Sequence, residues 1–321
     1  MDAADLLGAP GLPGDLVRLE EALWRSTAAM DPFLSEVAGH LVAAGGKRIR
    51  PALTLAAALA GGGAIDDDVI MGGISVELVH IGSLYHDDVI DEAESRRGVE
   101  SVNARWGNLV AILAGDFLLA RASEIAASLG TEVAALLAHT IGRLCEGQVG
   151  ELRTAFDPGR SEAAYLDSIA GKTASLTAAA CRIGALVAGL PRPLIAPLTA
   201  FGEAFGIVFQ IRDDCLDVTG TDEELGKPAG QDLVEGTYSL PVIRALAMPE
   251  VSEELRPLLG RSLGAPERDK ARDIIRASGA VQQALATARE YADTASAALA
   301  PLGDNAMARA LAGAGHRLLS S

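Results

Sequence analysis

Apolar residues along this chain recur at helical spacing, and the strict alternation of a half-exposed strand is scarce. Residues 16–43 read as one or two amphipathic helices. An apolar run from Ile74 to Tyr85 ends in His86-Asp87-Asp88-Val89-Ile90-Asp91. A second run, Phe205 to Ile211, ends the same way in Asp213-Asp214-Cys215-Leu216-Asp217. Between them, long helices are expected over residues 108–128 and 131–154, separated by Gly130, and another over 175–190. Ser161 is placed to cap a short helix reaching Ile169. Pro191-Arg192-Pro193 should break the chain before a helix over residues 198–217. From residue 250 to 319 the pattern gives two to four amphipathic helices whose role is packing. No linker and no repeat of fixed period stands out, so residues 1–321 are expected to form a single domain, with residues 1–14 flexible.

Composition sharpens this into an all-α fold. Ala and Leu dominate, aromatics are only 4%, and hydrophobic residues reach 49%, enough for a large core. The net charge of −16 argues against nucleic acid or an anionic membrane as the main partner. Three cysteines make no disulfide framework and lack zinc-site spacing, so they read as small buried side chains. The N-terminus has no basic or apolar region of a signal peptide. The longest uncharged stretch, residues 51–65, is 15 residues and ends near Gly61-Gly62-Gly63, so no transmembrane segment is expected and the cytoplasm is the expected location.

The two aspartate runs carry the chemistry. On a helix Asp87, Asp88 and Asp91 share one face, where like charges repel and desolvation is costly. Mg²⁺ relieves both, because it takes carboxylate oxygens, keeps waters and shares its sphere with phosphate. One such trio could be a solvated helix face; the second, Asp213, Asp214 and Asp217, also ends an apolar run, and two such accidents seldom coincide. Gly45-Gly46-Lys47-Arg48-Ile49-Arg50-Pro51 is either a basic capping loop or an anion cradle. His80 lies two turns before Asp87, either as a core histidine or as a ligand contact. Arg96 and Arg97 are counter-ions to the aspartates or hold a polyanion the metals bind. Gly171-Lys172-Thr173-Ala174 lacks P-loop spacing but puts a lysine and a hydroxyl beside an apolar helix. Gln210 sits one turn before Asp214, and a polar loop over residues 219–236 holds Lys227 and Asp232. Asp66-Asp67-Asp68 reads as a helix cap only. Metal-bound diphosphate beside an apolar cavity suits ionisation of an allylic diphosphate, and the surplus cations leave room for a second diphosphate.

Taken together the motifs resemble the trans-isoprenyl (polyprenyl) diphosphate synthase family. They are GGKRIRP at 45–51, ELVH at 77–80, HDDVID at 86–91, RRG at 96–98, GDFLLARA at 115–122, GKTA at 171–174, FQIRDDCLD at 209–217, GK at 226–227 and EG..SLP at 235–241. The resemblance implies an all-α helical bundle around a deep central cavity, a homodimer, and Mg²⁺-dependent condensation of isopentenyl diphosphate with an allylic diphosphate. It implies that Asp87, Asp88, Asp91, Asp213, Asp214 and Asp217 bind up to about three Mg²⁺ ions. Lys47, Arg50, His80 and Arg97 would hold isopentenyl diphosphate. Arg96, Lys172 and Lys227 would hold the allylic diphosphate, with Thr173 and Gln210 near the cation. The chain departs from the family at Thr237, where many members carry a lysine, so one contact to the allylic diphosphate is lost. In the family a bulky aromatic one turn before the first aspartates stops chain growth. Here that turn holds Gly82 and Ser83, Tyr85 points off the face, and the expected product is all-trans with roughly thirty carbons or more. Geranylgeranyl diphosphate is the alternative product. The rival activities are a class I terpene cyclase, which needs no second diphosphate site, and a non-catalytic partner subunit.

Overall fold

The computed structural model describes residues 3–8, 12–225 and 228–321. The fold is all-α; among the described residues the strands are the two of one short hairpin, Ser95–Arg96 with Val99–Glu100. The chain divides into two compact units. One comprises Met1–Gly142, Leu176–Gly202 and Ser296–Ala314; the other comprises Arg143–Ser175, Glu203–Ala295 and Gly315–Ser321. Each is assembled from three separate stretches of chain, so neither corresponds to a run of sequence bounded by a linker.

The first unit is organised around the Asp67–Ile90 helix, which packs against Asn108–Ser128, Ile49–Ala60 and Leu12–Ser26. Ile74, Val76, Leu78, Val79 and Ile81 of this helix are all buried, because neighbours cover it on several sides. Small residues allow close crossings. A Cβ on Gly184 would lie 2.0 Å from the Thr54 carbonyl oxygen, and one on Gly72 would meet Ile183 at 2.9 Å. The second unit has its own core, including Tyr165, Ile211, Cys215, Leu233, Tyr238 and Ile275.

The structure departs from the sequence reading in places. Within residues 1–14, expected to be flexible, the described residues hold a helix at Ala3–Leu7 and the start of Leu12–Ser26, and Leu6, Leu7 and Leu12 are buried. The helix carrying the second aspartates begins at Arg192, not 198. The break before it is made by Gly189, at φ +66°, rather than by the prolines. Gly189 N–H donates to Leu186 O and Leu190 N–H to Ala185 O, a Schellman stop. Pro193 then falls in the first turn, where an N–H has no helical partner in any case. Asp66 caps its helix by accepting from Val69 N–H at 2.9 Å, and Ser161 accepts from Ala164 N–H at 3.1 Å. Cys181 and Cys215 are buried, whereas Cys145 is exposed. Two helices, Asp67–Ile90 and Arg192–Thr219, are long and apolar enough to cross a membrane by length and composition, but 72% and 56% of their apolar windows are buried within the protein.

Candidate active site

The Asp67–Ile90 helix delivers the first aspartates. The helix ends at Ile90, and Asp91 is its C-cap at φ −88° and ψ −1°, near enough to helical backbone to stay in register with Asp87. Asp87 is half-buried and Asp91 exposed. Asp88 is 0% exposed. Its Oδ1 accepts from Arg96 Nε at 2.7 Å and lies 2.6 Å from Arg96 Nη2, a two-pronged charge-assisted contact. Asp88 Oδ2 is buried without a hydrogen-bond partner. Burial pushes the Asp88 carboxyl above its usual range, while the Arg96 guanidinium pulls it back.

Two basic segments flank this helix. The RRG residues form the hairpin, with Arg96 paired to Val99 and a two-residue turn at Arg97 and Gly98, at φ +55° and +76°. Gly98 suits that turn; Arg97 is held there because its guanidinium donates to the Leu41 carbonyl at 2.9 Å and to the Gly45 carbonyl. In the other segment Gly45 has φ +84°, and a Cβ on Gly46 would lie 2.7 Å from Arg48 Nη1 and 3.0 Å from Arg97 Nη1. The glycines thus make room for two guanidinium groups. The three cations of this loop separate in space. Arg48 turns inward, is buried, and pairs with Glu20 at 2.7 Å and Glu77 at 3.0 Å. Lys47 is exposed and Arg50 half-buried. His80 is held well below its ordinary pKa, first by burial and then by Arg50, Arg97, Arg48 and Arg96, so it is neutral in a cationic setting. That cluster of positive charge, in a protein of net charge −16, is a ready anion site. Among the described residues, three of the four non-glycine residues with left-handed φ, Arg48, Glu92 and Arg97, border this site.

Gly82 does not look into open space. A Cβ there would lie 3.0 Å from the Gly115 carbonyl and 3.4 Å from Leu118, and one on Gly115 would strike His86 at 2.3 Å. These two glycines let their helices cross closely, which accounts for a glycine at 115 inside an apolar helix. Of the two small residues, Ser83 alone remains a candidate for lining a path for the product. Tyr85 is fully buried and donates to the Val37 carbonyl at 2.7 Å.

In the second unit the helix Glu162–Ile169 runs into a π-helical turn, Ala170–Ala174, which carries Lys172 and Thr173. A Cβ on Gly147 would lie 2.4 Å from Lys172 N, so glycine is required at that approach. Lys172 Nζ pairs with Glu151 at 2.6 Å. Thr173 Oγ1 donates to Gln210 Oε1 at 2.7 Å, and Gln210 Nε2 donates to Asp214 Oδ1 at 2.8 Å. Tyr165 Oη donates to the other oxygen, Oδ2, at 2.6 Å. Asp214 is 5% exposed, and burial raises its pKa to about 7 against the pull of these two hydrogen bonds. Asp213 is exposed, whereas Asp217 is buried and accepts from Asp232 N–H at 3.2 Å. Thr237 is half-buried and donates its N–H to the Asp232 carbonyl at 2.8 Å. Lys227 lies outside the described residues. Tyr165 and Glu151 were not singled out from sequence; the available signal was that Tyr165 stands two turns before Lys172.

Among the described residues no three His, Cys, Asp or Glu side chains converge as a ready-made metal cage. Mg²⁺ does not require one, since it is commonly held by one or two carboxylates plus substrate phosphate. In the first unit the open, buried Oδ2 of Asp88 and the more accessible Asp87 and Asp91 fit such an ion; in the second, the exposed Asp213 fits one as well.

Comparison with known proteins bears on both halves. Residues 31–277 match the polyprenyl synthetase family model, and the chain belongs to that family of prenyltransferases. It is 40% identical over 285 residues to heptaprenyl diphosphate synthase component 2 of Geobacillus stearothermophilus, covering 88% of each chain. It is 38% identical over 315 residues to nonaprenyl diphosphate synthase of Mycobacterium tuberculosis, covering 97% of this chain and 94% of the other. Among solved structures, polyprenyl synthase from Caulobacter crescentus, complexed with calcium and isoprenyl diphosphate, superposes with a TM-score of 0.93 at 35% identity, covering 100% of this chain and 98% of that one.

Proposed function

We propose that this chain condenses isopentenyl diphosphate head-to-tail with an allylic diphosphate, giving an all-trans polyprenyl diphosphate of roughly thirty carbons or more. The observation that carries this is in the first unit. One helix ends in an aspartate set and, two turns earlier, holds neutral His80 among Arg50, Arg97, Arg48 and Arg96. Carboxylates call for cations and guanidinium groups for anions, so a metal-bound diphosphate and a directly bound one are both provided for. A terpene cyclase needs only the former. Asp87, Asp88, Asp91, Asp213, Asp214 and Asp217 would hold Mg²⁺, up to about three ions. When bound, these ions would stabilise the charge that grows on the departing diphosphate. Lys47, Arg50, His80 and Arg97 hold isopentenyl diphosphate. Arg96, Lys172 and Lys227 orient the allylic diphosphate, and the oxygens of Thr173 and Gln210 stabilise the allylic cation after the C–O bond breaks. The isopentenyl double bond then forms the new C–C bond, and a proton leaves to the released diphosphate.

A long product is supported by the names of the relatives and by the first aspartate helix. Diphosphate pinned at Asp87 would send the tail back past Ser83, and residues 75–83 of this helix include no Phe, Tyr or Trp. The exposed Leu109, Ile112 and Leu113 on Asn108–Ser128 support pairing with a second copy of the chain, and the cytoplasm is the proposed location. The deciding measurement is mass spectrometry of products made from both diphosphates and Mg²⁺. Linear chains of about thirty carbons or more are expected, shortening sharply in Ser83→Phe. Products ending at about twenty carbons or fewer, or an unchanged length in Ser83→Phe, would defeat the length assignment. A cyclic hydrocarbon from the allylic substrate alone would favour the cyclase.

A further inference from the structure

Tyr165 has no part in the reaction above, yet its hydroxyl donates to Asp214 Oδ2 at 2.6 Å. Its ring is buried, and the Arg160 guanidinium lies 5.6 Å from the ring centroid. Arg160 is itself 6% exposed and donates Nη1 to the Tyr238 carbonyl at 3.2 Å, while its Nε and Nη2 make no hydrogen bond. Tyr165 therefore cannot easily swing away from Asp214. The other Asp214 oxygen is taken by Gln210, which Thr173 orients in turn. Thr173 sits eight residues after Tyr165 on the same run of helix and π-turn. The hydrogen bonds thus close a ring: helix, Tyr165, Asp214, Gln210, Thr173, and back to the helix.

Resting on the reading that the second aspartate set holds a divalent cation, we propose that Tyr165 is a positioning residue for that set. A carboxylate offers about four lone-pair sites. Tyr165 and Gln210 each use one, on different oxygens, which sets the plane of the Asp214 carboxylate and leaves its remaining sites at fixed directions for a cation. Outer hydrogen bonds to metal-ligating groups typically change metal affinity by about 10- to 100-fold.

Tyr165→Phe tests this, because it keeps the ring beneath Arg160 and removes only the hydroxyl. The readout is Mn²⁺ binding, followed by electron paramagnetic resonance with inorganic diphosphate present, beside the Mg²⁺ dependence of turnover. The variant should bind Mn²⁺ about tenfold more weakly and need about tenfold more Mg²⁺ for half-maximal turnover. At saturating Mg²⁺ its kcat should return to within about threefold of wild type. A folded variant whose Mn²⁺ affinity stays within about twofold of wild type overturns the inference, even if activity falls. If Tyr165→Phe melts too low to assay, Gln210→Met removes the donor to the other oxygen and is held to the same threshold. Asp213→Ala separates the two levels of the argument. Should it bind Mn²⁺ as wild type does, the cation reading of the whole set fails; should it lose binding while Tyr165→Phe keeps it, only the role of Tyr165 fails.

Discussion

In the first unit the buried aspartate, Asp88, meets a guanidinium; in the second, Asp214 meets a phenol and an amide. Both belong to the same Asp-Asp-x-x-Asp pattern and both follow an apolar helical run. Arg96 supplies a full opposite charge and is partly open to solvent, at 30% side-chain exposure. Tyr165 and Gln210 supply only dipoles, in a setting where burial dominates and lifts Asp214 to a pKa of about 7. A short motif therefore specifies where carboxylates stand along a helix, while the partners brought up from elsewhere in the chain decide what each carboxylate costs to ionise. The accessible aspartates differ less: Asp87 and Asp213 are each more exposed than the aspartate that follows them.

That similarity yields the largest expected effect. Asp87→Ala and Asp213→Ala should each lower kcat by about 100- to 1000-fold, since each removes a group acting where transition-state charge develops. Near-normal turnover of either variant at saturating Mg²⁺ would show that only one set serves the reaction.

Stability should separate the buried pair. Asp88→Asn strands a partly exposed guanidinium but also removes a carboxyl that burial already holds above its usual range, so the two offset and it should cost only about 1 kcal/mol. Asp214→Asn should go the other way at alkaline pH. The folded pKa of Asp214 lies above its unfolded value, so the unfolded state releases the proton first and stability falls as pH rises from the ordinary carboxylate range through about 7. Asparagine escapes that loss. In EDTA, the Tm of wild type should drop more between pH 5 and pH 8 than that of Asp214→Asn, and parallel curves would contradict the assignment.

Smaller effects should fall on binding. Arg50→Ala should raise KM for isopentenyl diphosphate by roughly tenfold and the allylic KM less, with Lys172→Ala doing the reverse. Equal shifts in both constants would dissolve the division of cations between the two substrates. Smallest of all, Thr237→Lys should lower the allylic KM by a few-fold, about what one exposed charge contact contributes. An unchanged constant would mean that this side chain does not meet the substrate.

Much of this was legible in the chain. Helical periodicity, scarce aromatics and the caps at Asp66 and Ser161 were enough for the all-α class and most elements, because these are local properties of backbone and side chain. The two aspartate sets, the basic loop, Lys172 and the Gln210-to-Asp214 spacing were visible for the same reason. What spacing could not tell was which member of a group turns inward. Lys47, Arg48 and Arg50 look alike as a run of cations, yet Arg48 is spent on Glu20 and Glu77, and Glu20 lies 28 residues away in sequence. Gly82 looked like an open position beside Ser83 and proves to be a helix crossing, because its neighbour Gly115 comes from another helix. Tyr165 carried no motif, and its value depends on Asp214, which is 49 residues further along. Burial and partnership arise from residues distant in sequence meeting in space, so they enter only when the helices pack, and burial is the largest influence on the proton affinity of Asp88, His80 and Asp214.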